Sequence, residues 1–260
     1  MEISIDACRS MAVRYGLPLQ FIVKEFYLFD VLSKVAAQKP DIVFKGGTAL
    51  NKVYLEKLQR FSDDLDFDSG TENFAEVREV CRELSKGIEG YEILEFRRVG
   101  NSLQFYCVYN SPLGGRDHVR IDVAPKRIIT DKPLVMKAAV SQYTQQLVSG
   151  FYIYSLEDLV ARKMYALRTR SEGKDVYDVY NALPLCGKMR NAIRRMLQAE
   201  RSDEEVGEFL SQIIQKIRKM DYRKLHNLTN PFIPVDKRPG SWLELRNDLA
   251  SKLEAMREQV

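Results

Sequence analysis

The chain has 260 residues, 45% of them hydrophobic and 29% charged, which is enough for one large domain or two small ones with a real core. No stretch approaches the ~18 apolar residues of a membrane span, and the first residues do not resemble a secretion signal, so a cytoplasmic protein without membrane contact is expected. The four cysteines are far apart and form no CxxC pair, which argues against structural zinc or a disulfide framework.

The charge is unevenly distributed along the chain. The formal net charge is only +4, but residues 188–224 contain 10 basic and 6 acidic residues, a local surplus of 4. Such a segment is typical of a solvated helical face or of a surface for a polyanion, and both interpretations stay open.

The first part of the chain mixes helical and strand patterns. A largely buried helix is predicted over 19–37, and an apolar run over 41–44 predicts a short strand that ends at a glycine pair. Thr48 is expected to cap a helix that continues to about residue 58. Further strands are predicted over 64–68, 91–98, 102–109 and 117–124, and a further helix over 72–86.

The remaining chain has a helical pattern throughout. Helices are predicted over 155–167, 175–183, 189–199, 203–220 and 242–257. Ser155, Ser202 and Ser241 are each followed three residues later by an acid, which indicates capping boxes. We therefore predict an α/β domain over residues 1–150 and a helical domain over residues 151–260.

An acidic strand is the most informative segment. Strict alternation places Asp64, Asp66 and Asp68 on one face, with Leu65 and Phe67 on the other. Neighbouring carboxylates repel one another in a poorly solvated site, and a divalent cation removes that cost. Mg²⁺ or Mn²⁺ held this way could support phosphoryl transfer. The alternative is a solvated acidic face.

The flanking sequence narrows this choice. A calcium loop is excluded because its sixth position would be Ser69 and its twelfth Ala75. The polar Ser69 also makes Asp68 a peripheral acid. In the strand over 117–124, Arg120 and Asp122 share a face, and Asp122 becomes a third site carboxylate if that strand lies beside the acidic one.

Two further positions could bind phosphate. Gly46 and Gly47 join a strand to a helix, so backbone N–H groups could hold a triphosphate, although glycine pairs also mark ordinary turns. Lys163 lies on an apolar helical stripe, where it either extends to the surface or holds an anion. Asp175 begins the next helix, where it could simply favour the dipole, and Asp178 is expected on the helix surface.

Five short motifs together resemble the AbiEii-type nucleotidyltransferase family of the polymerase-beta-like superfamily, which includes the MenT toxins. They are GGTAL at 46–50, RFS-x-DLDF at 60–67, IDV at 121–123, ARK at 161–163 and KDVYD at 174–178. The resemblance implies an α+β fold with a mixed sheet, followed by a helical half that contributes Lys163 and Asp175 to the cleft. It assigns nucleotide binding to Gly46, Gly47, Thr48, Ser62 and Lys163, metal binding to Asp64, Asp66 and Asp122, and catalysis to Asp64, Asp66, Asp122, Lys163 and Asp175.

The same resemblance implies a function. It is that of a Mg²⁺-dependent or Mn²⁺-dependent enzyme that transfers NMP from an NTP to RNA, with a tRNA 3′ end as the specific acceptor. The enzyme would be the toxin of a toxin–antitoxin system, with a cognate antitoxin as partner. Two alternatives stay open: AMP transfer to a protein hydroxyl, and a non-catalytic module that binds nucleotide or a partner protein.

Overall fold

The computed structural model of the chain describes residues 3–259, except the side chain of residue 95. The helices of this part are α1 (Ile5–Tyr15), α2 (Leu19–Ala37), α3 (Gly46–Val53), α4 (Phe74–Lys86), α5 (Leu156–Thr169), α6 (Gly173–Ala182), α7 (Arg190–Ala199), α8 (Val206–Lys219), α9 (Tyr222–Thr229) and α10 (Trp242–Glu258). The strands are β1 (Val43–Lys45), β2 (Asp64–Asp68), β3 (Glu92–Val99), β4 (Ser102–Asn110), β5 (Arg116–Ala124), β6 (Val135–Met136), β7 (Ala139–Val140), β8 (Leu147–Val148) and β9 (Tyr152–Ile153). Within residues 3–259, no helix combines the length and apolarity needed to span a membrane.

Two compact units make up the chain. The first comprises Met1–Ile128 and Leu134–Ile153, and the second comprises Ile129–Pro133 and Tyr154–Val260. The strands named above, together with α1 to α4, therefore belong to the first unit, and α5 to α10 belong to the second.

A mixed seven-stranded sheet is the framework of the first unit. Its strand order is β3-β4-β5-β2-β1-β9-β6, with β2 antiparallel to β1 and parallel to β5. The alternating apolar residues of β2 and β5 are fully buried: Leu65, Phe67, Val119, Ile121 and Val123. Because side chains alternate along a strand, the residues between them share the opposite face. The mixed sheet and the many helices confirm the predicted α+β class.

Of the three predicted capping boxes, those at Ser155 and Ser241 are confirmed and the one at Ser202 is wrong. The hydroxyls of Ser155 and Ser241 each accept the backbone N–H three residues on, as capping residues do. Ser202 is not a cap, because α8 begins at Val206 and its first turn has no side-chain cap. The Ser202 hydroxyl instead accepts the N–H of Glu204 at 3.4 Å, a local turn that competes with helix formation.

The sequence predictions omitted the short helices α1 and α9. Helix α9 follows Asp221, whose carboxylate accepts the N–H groups of Arg223 and Lys224. An aspartate at this position is a strong N-cap, so Asp221 was a usable signal for α9.

Candidate active site

The turn from β1 into α3 brings backbone close to the acidic strand. Gly46 has a φ of 77°, a left-handed conformation that favours glycine. A Cβ added to Gly46 would overlap the carboxylate of Asp66. Helix α3 begins at Gly46 without a side-chain cap, and the N–H groups of a first helical turn lack acceptors within the helix. The predicted glycine turn therefore places a helix N-terminus beside a site carboxylate.

The hydroxyls of Thr48 and Ser62 lie together between α3 and β2. Thr48 is buried and donates to the carbonyl oxygen of Asp64 at 2.5 Å, and the two hydroxyl oxygens are 2.8 Å apart. The prediction that Thr48 caps the helix is wrong, because α3 starts earlier, at Gly46, and the Thr48 side chain is bound to the start of β2 instead. The pair fixes the glycine turn against the acidic strand.

The three predicted metal-binding aspartates lie on one face of two neighbouring strands. Asp64 and Asp66 alternate along β2, and Asp122 of β5 is the register partner of Asp66. The hydroxyl of Ser102 donates to Oδ1 of Asp122 at 2.7 Å. The strand register therefore brings carboxylates from two strands together, although they are far apart in sequence.

A basic residue also lies on this face. Arg120 is the register partner of Asp64, and its Nη2 donates a short hydrogen bond to the Asp64 carboxylate. Its Nε lies 2.9 Å from Oδ2 of Asp122. That contact is an ion pair but not a hydrogen bond: among the described residues, the buried Nε of Arg120 has no hydrogen-bond partner. The guanidinium thus bridges a carboxylate of β2 and a carboxylate of β5.

The environment of Asp64 disfavours its charged form. Burial raises its pKa, the neighbouring Asp63 raises it further, Arg120 lowers it, and Asp66 and Asp122 add smaller increases, with a net result of about 7. About a third of the side chain stays exposed (32%), so a cation from solvent has access to it. Near neutral pH this carboxyl group is therefore poised between its charged and neutral forms.

The last aspartate of the acidic strand is more buried than the sequence indicated. Asp68 is fully buried, not peripheral, and its Oδ1 lies 2.5 Å from Nζ of Lys45 on β1. The ion pair with Lys45 offsets the free-energy cost of burying the Asp68 carboxylate. This face of the sheet, which we term the carboxylate face, has four acids and two cations, a formal net charge of −2. Its members are Lys45, Asp64, Asp66, Asp68, Arg120 and Asp122.

A divalent cation suits the carboxylate face. Carboxylate oxygens are the ligands that Mg²⁺ and Mn²⁺ prefer, and the net charge of the face is equal and opposite to that of one such ion. The residues that would hold it are Asp64, Asp66 and Asp122. Among residues 3–259, no three acidic, histidine or cysteine side chains already converge as a metal-binding group, and Arg120 contacts two of these three carboxylates.

Buried polar contacts hold α3 in place, and the sequence predictions missed them. Asn51 donates its side-chain amide to the carbonyl of Gly47 at 2.9 Å, and its Oδ1 accepts the N–H of Arg60 at 2.9 Å. Lys52 and Glu25 of α2 form a fully buried ion pair at 2.5 Å. The local signal for this pair was the position of Glu25 on the apolar stripe of α2, three or four residues from Phe21, Ile22, Leu28 and Phe29. Together these contacts fix the helix whose N-terminus faces the carboxylate face.

The second unit contains a buried cluster of charges around Lys163. The Nζ of Lys163 lies 2.7 Å from Oδ1 of Asp175 and 3.0 Å from Oδ2 of Asp178. Nε of Arg170 donates to Oδ2 of Asp175 at 2.7 Å. Because Lys163 is only 7% exposed, it does not extend to the surface, and its amine is held within the unit.

The two acids of this cluster are both buried, and for Asp178 this differs from what helical spacing suggested. Asp178 was expected at the helix surface, and it is fully buried against Lys163 because α6 packs this face on α5. Burial alone would raise the pKa of Asp175, but Lys163 and Arg170 outweigh that effect and lower the pKa to about 2. Asp175 is therefore ionised at neutral pH and holds both cations.

Comparisons with known proteins agree on the fold. The MenT4 nucleotidyltransferase toxin from Mycobacterium tuberculosis H37Rv has a similar structure, with a TM-score of 0.65, 17% sequence identity, and coverage of 100% of this chain and 91% of that chain. A putative nucleotidyltransferase from H. pylori has a TM-score of 0.56, 16% identity, and coverage of 94% and 97%. JHP933 from Helicobacter pylori has a TM-score of 0.51, 16% identity, and coverage of 94% and 94%. A search of curated protein sequences gave no significant match.

The class of protein follows from a comparison with family models, which identifies a nucleotidyltransferase. A family model described as "Nucleotidyl transferase AbiEii toxin, Type IV TA system" matches residues 28–253. The chain therefore belongs to the AbiEii family of nucleotidyltransferase toxins, as its sequence motifs indicated.

Proposed function

We propose that the chain transfers NMP from an NTP to an RNA acceptor in a reaction that depends on Mg²⁺ or Mn²⁺. The observation that carries this proposal is the carboxylate face itself: Asp64 and Asp66 next to Asp122, beside a turn at which only glycine fits. The carboxylate face has a formal net charge of −2, which attracts a cation. The N-terminus of α3, which has no side-chain cap, lies beside this face and can bind the phosphates that accompany the cation.

Each residue has a distinct task in the proposed reaction. Asp64 and Asp66 hold the metal, and backbone N–H groups at Gly46 and Gly47 bind triphosphate oxygens. Thr48 and Ser62 support that turn. A bound divalent ion would supply positive charge where the phosphate oxygens develop negative charge.

The proposed bond changes balance as follows. The acceptor hydroxyl oxygen forms a bond to the α-phosphorus, the bond from the α-phosphorus to the bridging oxygen breaks, and pyrophosphate leaves. The hydroxyl proton passes to a base, and Asp122 is the candidate where it does not serve as a third metal ligand.

Lys163 and Asp175 are included in the proposal because of the family motifs. The lysine would neutralise charge on the phosphates, and Asp175 would hold the lysine amine in position. Their 2.7 Å contact and the low pKa of Asp175 support a permanently charged pair.

The proposed biological role is that of a growth-inhibiting toxin with a cognate antitoxin as its partner. A tRNA 3′ end is the proposed acceptor. The toxin role is supported by family membership, since the family is that of type IV toxin–antitoxin systems. The tRNA acceptor is an expectation from the resemblance of the sequence motifs to the family.

A labelling experiment tests the proposed chemistry. Purified protein is incubated with each α-labelled NTP, Mg²⁺ or Mn²⁺, and total RNA, and Asp66→Asn is compared with the wild type. Asp236→Asn, at a side chain that is 67% exposed, is the matched control. We expect label on RNA of tRNA size with the wild type and the control, and none with Asp66→Asn.

The other outcomes separate the alternatives. Label on protein alone would favour AMP transfer to a protein hydroxyl. Absence of any transferred label with all four NTPs and both metals would overturn the proposal and favour a non-catalytic binding module.

A further inference from the structure

The guanidinium of Arg120 occupies the position in which a cation is needed. It contacts Asp64 on β2 through Nη2 and lies 2.9 Å from Asp122 on β5 through Nε. Both carboxylates are among the three that the proposed function assigns to metal. A bound ion and the guanidinium would therefore compete for the same oxygens.

The arginine is held loosely enough to leave. Its side chain is 35% exposed, so the guanidinium has access to solvent, and one of its two carboxylate contacts lacks hydrogen-bond geometry. Asp122 also accepts a hydrogen bond from Ser102, so it keeps a polar partner when the arginine departs. The other cation of the face, Lys45, is paired with the fully buried Asp68 and has no comparable freedom.

We propose that Arg120 is a positioning residue that bridges the Asp64 and Asp122 carboxylates in the metal-free enzyme and is displaced from them when the divalent ion binds. This inference rests on the proposed metal dependence. The arginine keeps the carboxylate face intact before substrate arrives, and it lowers the affinity for metal that is not accompanied by a nucleotide. Phosphate oxygens that arrive with the ion provide new acceptors for the released guanidinium.

Removal of the Arg120 charge should change both the affinity for metal and the stability of the metal-free protein. The guanidinium repels a cation bound at the same carboxylates, and solvent screening reduces this repulsion at a partly exposed site. Removal of the guanidinium charge should therefore tighten binding of Mn²⁺ alone by about tenfold. The same removal should lower the stability of the metal-free protein, because the carboxylates lose their counter-charge.

The test uses calorimetric titration of the 260-residue chain with Mn²⁺ alone, together with thermal unfolding in chelator. Arg120→Gln is compared with Arg120→Lys, which retains the charge, and with Arg116→Gln. Arg116 lies on the same strand and pairs with Glu92 at the surface, so it is a matched control. We expect about tenfold tighter Mn²⁺ binding and a lower melting temperature for Arg120→Gln, with Arg120→Lys and Arg116→Gln close to the wild type.

The outcomes distinguish this inference from the proposed function. Unchanged or weaker Mn²⁺ binding by Arg120→Gln, with normal binding by the wild type, overturns the displacement by metal and leaves the metal-dependent reaction standing. If neither the wild type nor Arg120→Gln binds Mn²⁺, with or without an NTP, the proposed metal dependence itself fails. Should Arg120→Gln not fold, Arg120→Met, which also removes the charge, is titrated in its place, and Mn²⁺ binding no tighter than that of the wild type again overturns the inference.

Discussion

At the residue scale, Asp64 combines a functional position with an unfavourable environment. Its carboxyl group is partly buried close to Asp63, Asp66 and Asp122, and Arg120 offsets only part of the effect of burial and of these charges. A carboxylate that is held near other carboxylates without a bound cation lowers the stability of the folded protein, although it serves the function. The free energy of unfolding should therefore rise when the charge is removed.

We expect Asp64→Asn to abolish nucleotidyl transfer and to raise the melting temperature of the metal-free protein at neutral pH. The unfolded chain ionises Asp64 near its ordinary value of 3.8, whereas the folded chain does so near 7. The wild type therefore loses stability as the pH rises from about 4 to 7, and the neutral variant does not. The asparagine oxygen still accepts a hydrogen bond from Arg120.

Thermal unfolding in chelator between about pH 4.5 and 8.5 measures this difference. The advantage of Asp64→Asn should grow up to about pH 7 and stay constant above it. Asp236→Asn, at an exposed position, should show no such trend. A difference that is flat across this range would contradict the unfavourable environment inferred for Asp64.

Asp175 has the opposite energetics. Its pKa is lowered from 3.8 to about 2 by Lys163 and Arg170, so its ionisation stabilises the folded state at every pH above about 4. That contribution is lost as the pH falls from about 4 to 2. A shift of this size corresponds to about 2 kcal/mol.

Asp175→Asn should therefore cost about 2 kcal/mol of unfolding free energy at neutral pH, and its deficit should shrink as the pH falls below about 4. Urea unfolding at neutral pH and near pH 3 measures the change. Asp248→Asn, at a surface ion pair with Lys252, is the control and should have little effect. An equal deficit at both pH values would show that Asp175 contributes by packing alone.

At the element scale, α3 connects the glycine turn to the carboxylate face. Asn51 holds the carbonyl of Gly47 and the N–H of Arg60, and Lys52 holds Glu25 of α2. These buried contacts restrict the helix at both its start and its last turn. A small change at the turn is therefore transmitted to the carboxylates and is not absorbed by movement of the helix.

Gly46→Ala is the sharpest test of this arrangement. Alanine in the left-handed conformation costs roughly 1 to 2 kcal/mol, and its Cβ would also displace the Asp66 carboxylate. Gly90→Ala is a matched control, because Gly90 has a φ of 83° and open space around it. We expect Gly46→Ala to lose activity and metal binding, and Gly90→Ala to lose only about 1 kcal/mol of stability.

Equilibrium unfolding and the labelling assay together decide the outcome. Similar stability losses with activity retained in both variants would show that the contact between Gly46 and Asp66 has no catalytic role.

The elements of the site differ in how far the sequence could predict them. The alternation of β2 and the cap at Ser155 are local patterns, so sequence spacing was sufficient for both. The ion pairs of Arg120 and Asp68 depend on which strands become neighbours, and the burial of Asp178 depends on helix packing. Strand order and helix packing depend on contacts between distant parts of the chain, which the spacing of residues within one segment does not determine.

At the scale of the whole molecule, the formal net charge of +4 belongs to the second unit, which has 21 basic and 17 acidic residues. Lys216, Lys219 and Lys224 line a common surface cavity at the junction of α8 and α9. Lys216 is held there by a hydrogen bond to a backbone carbonyl, and the other two lysines are exposed. This location is the structural counterpart of the basic segment 188–224, and it suits the phosphate backbone of the proposed RNA acceptor.

The Lys219→Glu/Lys224→Glu double variant should weaken RNA binding without changing the affinity for NTP. Each lost phosphate contact lowers the salt dependence of binding, so the slope of log affinity against log salt should fall by about 1 to 2. Affinity for tRNA should drop by about tenfold or more at low salt, because two attractive contacts become repulsive. Arg82→Glu/Lys86→Glu is the matched control, since both residues are exposed on α4. Fluorescence anisotropy with labelled tRNA over a salt series measures both quantities, and equal slopes for the two double variants would place the acceptor surface elsewhere.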